Sequence, residues 1–124
     1  MSLTTAPLPA VPLTAIIGWS GLFIHNLAEL PGQGLLSPES FIPLLVTALL
    51  VAGWFTPARH AATLAMLGWG LLHFFGGGLI SVLPLPFLPF LPEQTLSHYL
   101  FHAVYALAQL PLVFSTVGWL RQSS

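Results

Sequence analysis

The chain has 124 residues, of which 56% are hydrophobic and only 4% charged: two Arg, three Glu, no Lys and no Asp. A soluble domain carries about 25% charged residues, and disorder needs low hydrophobicity with high charge, so both classes are excluded. The absence of Cys removes disulfides and thiolate chemistry, and a net charge of −1 without a basic patch excludes nucleic acid as a partner.

What remains is an integral membrane protein: an all-α bundle of four antiparallel transmembrane helices in one domain. A crossing takes roughly 20 apolar residues for about 30 Å of hydrocarbon. The first span is expected over about 13–30, ending at Pro31-Gly32. The second, about 41–55, is short and stops at Thr56-Pro57. The third runs over about 59–82, and the fourth over about 92–120. Pro92 suits the first position of that last helix.

Four crossings place both termini on one side. Arg59 and Arg121 then share one face of the membrane, while Glu29, Glu39 and Glu93 share the other. The positive-inside rule puts the arginines and both termini in the cytoplasm. Trp54 and Trp119 sit near the inner ends, as interfacial tryptophans do. The N-terminus lacks the basic region and cleavage site of a secretory signal, and the scarcity of targeting features favours a bacterial plasma membrane. The proline-alternating segment Pro84–Pro92 cannot be regular helix; its Leu and Phe side chains call for the outer interface or a partner.

Ionisable groups inside a span are functional candidates. At about 100° per residue, His98, His102, Tyr105 and Gln109 form one stripe on the fourth span. On the first, Thr14, Gly18, Gly21, His25 and Glu29 share a face, and Asn26 points about 100° away, toward a different neighbour. On the third, His73 shares a face with Met66, Gly70 and Gly77. At 1.5 Å per residue, His25 lies roughly 6 Å below Glu29, with His98, His102 and His73 also in the outer half. His60 falls at the inner boundary.

This clustering has three readings. The first is a bound Zn, Cu or Fe ion, or haem, since neutral imidazole ligates all of these. Its ligands are His25, Glu29, His98 and His102, with His73 near and Tyr105 and Gln109 as outer hydrogen-bond partners. For haem, His73 pairs with His25 or His102, and the Gly76-Gly77-Gly78 run leaves space for a flat macrocycle. The second reading is a pocket for a quinone, lipid or other small ligand, or a His/Glu proton relay. The third is an accessory subunit whose polar face seals a contact within a larger membrane complex or homo-oligomer. No nucleophile elbow, phosphate loop, zincin motif or dinucleotide fingerprint is present, so no catalytic residue is assigned.

Overall fold

The computed structural model describes residues 9–123. The N-terminal segment read above as lacking a secretory signal falls on residues 1–8, outside them. Among the described residues there are four helical rods and no strand. They are α1 (Ala10–Glu29), α2 (Pro38–Trp54), α3 (Arg59–Leu71) and α4 (Leu96–Ser123). The α3 rod continues beyond Leu71 as a wider π-helix over Leu72–Leu79 and closes with a 3₁₀ turn, Ile80–Val82.

Local sequence sets most boundaries. Leu30 is extended, as the residue before a proline prefers, and Gly32 takes the positive φ of 67° that the following turn requires. Pro38 occupies the first turn of α2, where no N–H is needed, and Glu39 sits beside the positive helix end. The start of α4 corrects the expectation from sequence. The helix begins at Leu96, not Pro92, because the Thr95 hydroxyl accepts the His98 N–H at 3.2 Å and acts as the cap. Residues 92–94 are instead tied back by Gln94, whose amide donates to the carbonyls of Val82 and Pro92.

Neighbouring rods run antiparallel. Along the α1–α4 seam, Glu29 meets His98, His25 meets His102, the Gly18 carbonyl meets Gln109, and Thr14 meets Ser115. Across α3–α4, Gly70 faces Leu112, and further along Gly78 faces Ala106. Trp69 donates to Thr47 of α2, and Asn26 joins α1 to the start of α2 through Ser40. Thus α4 packs on both α1 and α3, while α2 closes the far side.

An apolar core of Val11, Ala15, Trp54, Ala62, Met66 and Leu112 fills the end of the bundle that carries Arg59. Arg59 caps this end, its Nε donating to the Trp54 carbonyl at 2.6 Å and its guanidinium lying over the Trp54 ring. His60 is exposed at the same end, beside Trp119. The opposite end is polar inside. The helices present a largely apolar outer surface, with Leu49 73% and Phe114 67% exposed. Three rods, Ala10–Glu29, Arg59–Val82 and Leu96–Ser123, are long and apolar enough to cross a membrane. At 17 residues α2 is shorter than that.

The small residues are spacers for this packing. A Cβ on Gly78 stands 2.8 Å from the Ala106 backbone, whereas one on Gly68 meets nothing within 4 Å. Gly78→Ala is therefore expected to destabilise the bundle by about 1–3 kcal/mol through overpacking. Gly68→Ala is expected to be neutral, or stabilising by up to about 1 kcal/mol through helix propensity. Reversible unfolding of both variants in detergent, monitored by circular dichroism, measures the difference.

Candidate metal centre

Three histidines from two helices converge at the polar end. His25, His98 and His102 are buried, at 7%, 7% and 5% exposure. Each offers a ring nitrogen, and these atoms lie within 4.8 Å of one another. The i, i+4 spacing of His98 and His102 puts both rings on the α4 face that meets α1, with ring centroids 4.5 Å apart. His25 reaches them from the antiparallel helix.

The partners of each Nδ1 fix the tautomers. His102 Nδ1 lies 3.1 Å from the Gly78 carbonyl, which can only accept, so Nδ1 carries the proton. His98 Nδ1 lies 2.9 Å from Glu29 Oε1, again an acceptor. His25 Nδ1 lies 3.0 Å from Asn26 Oδ1. The Asn26 amide orientation is set by its Nδ2, which donates to the Glu39 carbonyl and to Ser40 Oγ. All three neutral rings therefore keep their lone pair on Nε2. Yet His25 Nε2 and His102 Nε2 face each other at 3.0 Å. Two acceptors at that distance repel unless something positive lies between or beside them.

This is the outer-shell pattern of a metal-bound histidine, in which the second ring nitrogen donates to a carboxylate or carbonyl. The π-helix contributes directly. Gly78, near the end of the π-helix and with no side chain, lets its carbonyl approach His102. Glu29 uses both oxygens: Oε1 accepts from His98 and Oε2 from Ser97 Oγ at 3.0 Å.

The other expected residues take different places. His73 stands apart from the trio: its Nδ1 shares a hydrogen bond with the Tyr105 hydroxyl, and its ring packs edge-on against Trp69. Its Nε2 is buried without a partner. Tyr105 lies between the two groups, its ring 5.6 Å from that of His25. Gln109 donates to the Gly18 and Tyr105 carbonyls, deeper along the seam. The expected slot for a macrocycle is filled, since the Tyr105 phenol lies over Gly77 and Ala106 over Gly78. The glycine run serves helix packing.

A cleft of about 550 Å³ opens onto the trio. Its walls include Leu30, Phe90, Leu91 and Pro92, so the proline-rich segment forms one side. All three acidic side chains, Glu29, Glu39 and Glu93, also line it. Sequence reasoning used Glu39 and Glu93 as topology markers and assigned no role to Ser40 or the Gly78 carbonyl. The shared acidity of the outer connections was the available signal for the glutamates. No family model, curated protein or solved structure matches the chain, so function is argued from this geometry.

Asn26 holds His25, α1 and α2 together through three hydrogen bonds. Asn26→Leu leaves buried partners unsatisfied and is expected to cost about 1–3 kcal/mol. Ser40→Ala, removing one of those bonds, is expected to cost about 1 kcal/mol. Thermal unfolding of the detergent-solubilised variants checks the order.

Proposed function

We propose that the chain is a membrane-embedded metal-binding protein in which His25, His98 and His102 ligate one divalent first-row cation. The observation that carries this reading is the 3.0 Å approach of His25 Nε2 to His102 Nε2, with both Nδ1 atoms committed as donors. With Zn–N bonds of about 2.0–2.1 Å, two imidazoles on a tetrahedral ion stand about 3.3 Å apart, so the pair needs little rearrangement. A nitrogen-only set suits Zn, Cu or Fe. A fourth position faces the cleft, as in zinc sites that keep a place for water or substrate. Glu29 and the Gly78 carbonyl orient the rings and raise their basicity.

The apolar exterior supports seating in a lipid bilayer. There the positive-inside rule turns the arginine end to the cytoplasm and the histidine end outward. A second reading draws on the same contact: a proton shared between the two nitrogens also satisfies both lone pairs and makes the pair a proton relay.

Purified full-length protein is expected to hold about one equivalent of metal by elemental analysis, or to take it up from micromolar Zn²⁺. His98→Ala with His102→Ala is expected to abolish that binding while far-UV circular dichroism stays helical. Because the ligand is neutral imidazole, protons compete with the ion; occupancy falls as pH drops through the range where imidazole protonates and recovers on returning to neutral pH. Wild-type protein that carries no metal and takes up none, with a histidine pair sharing a proton by ¹⁵N NMR, establishes the relay instead.

A further inference from the structure

We propose that the cleft contains a second cation station, built by Glu29, Glu93 and His98, that shares His98 with the three-histidine centre and is filled only when that centre has not yet taken His98. This rests on the metal-binding reading and extends it to the route by which the ion arrives.

The geometry supplies two overlapping ligand groups. Besides the trio, one ligand atom each from Glu29, Glu93 and His98 lie within 4.8 Å of one another. The two groups meet in one buried ring, 7% exposed. The His98 Nδ1 faces Glu29 at 2.9 Å, and the proposal gives the other ring nitrogen, Nε2, to the trio. The groups also differ in depth and chemistry. Glu93 is exposed, whereas the Glu29 side chain is only 8% exposed and His25 and His102 are buried, so Glu93 is the ligand nearest water. An ion leaving water thus meets oxygen ligands first and nitrogen ligands second. Oxygen-rich sets bind late first-row cations less selectively than imidazole sets do. Glu39 adds a third carboxylate side chain to the same cleft, and the sequence has no other acidic side chain. A cleft lined by one sign of charge concentrates the opposite ion and speeds its capture.

Exclusivity follows from lone-pair counting. A neutral imidazole has one acceptor nitrogen and one donor nitrogen. When His98 Nδ1 ligates in the outer station, Nε2 bears the proton and is lost to the trio. When Nε2 ligates in the inner centre, Nδ1 bears the proton and donates to Glu29, the arrangement present here. Moving the ion inward exchanges one tautomer for the other without changing the charge of the ring. His98 is the residue that passes the cation from carboxylates to histidines.

The test uses Co²⁺ as a spectroscopic probe on the full chain in detergent. Wild type is expected to bind one equivalent with the intense visible absorption of a tetrahedral, nitrogen-rich shell. The His25→Ala, His102→Ala variant is expected to retain one equivalent, at least about tenfold weaker, with the faint absorption of an oxygen-rich shell. Adding Glu93→Gln to that variant is expected to abolish binding. Two equivalents in wild type overturn the shared ligand, and loss of all binding in the still-helical double variant overturns the outer station. Glu93→Gln alone is expected to load Co²⁺ about tenfold more slowly than wild type; an unchanged loading rate also overturns the proposal. Wild-type protein that binds neither Co²⁺ nor Zn²⁺ is a separate result, and defeats the metal-binding reading itself.

Discussion

The structure depends on the polar seam between α1 and α4. Away from water, a polar side chain either finds a partner inside the bundle or carries the full cost of desolvation. Each such pair contributes only about 0.6 kcal/mol on average between membrane helices, so the seam is not a large store of stability. Its value is in register. Sliding α4 along α1 by one turn would break the Glu29–His98, His25–His102 and Gly18–Gln109 contacts together, and that combined loss selects a single alignment. The same alignment brings His25 Nε2 against His102 Nε2. The one contact in the seam that two neutral groups cannot satisfy is thus held in place by all the contacts that are satisfied.

The bundle and the faces of its helices were legible because hydrophobic length and a 3.6-residue period are local properties. His98, His102 and Gln109 do point to α1, and Thr14, Gly18, Gly21, His25 and Glu29 do line the matching face, while the Tyr105 phenol turns to His73 and Gly77 on the third rod. Asn26 does address a different neighbour, the start of α2. What sequence spacing lacked was the pairing of side chains across helices. His73 has a depth similar to the trio, yet Tyr105 intercepts it. Gln109 shares the stripe but lies two turns below His102, where the bare backbone of Gly18 gives its amide a carbonyl to bind.

The π-helix was illegible for a different reason. No residue type codes for it strongly, and Gly76-Gly77-Gly78 is equally compatible with a close helix contact or space for a ligand. Both glycine functions turn out to be contacts within the protein: Gly77 receives the Tyr105 phenol, and Gly78 receives Ala106 while turning its carbonyl to His102. The start of α4 shows how a cap can outrank proline. Pro92 fits a first turn, but Thr95 supplies an acceptor to the orphan N–H of His98, and a hydroxyl bond outweighs a pre-set φ. That same choice leaves Pro92 and Glu93 in the connection, where both line the cleft.

The brevity of α2 has a consequence for the surrounding lipid. Seventeen residues rise only about 26 Å, some 4 Å less than a typical hydrocarbon core, whereas the 28 residues of α4 exceed it. Asn26, nearly a turn below the end of α1, is already level with the first residues of α2. In a bilayer, acyl chains beside α2 would compress to meet this hydrophobic mismatch, dimpling one leaflet locally. Glu39 would mark the rim of that dimple, letting headgroups and water descend on the side where the histidines lie.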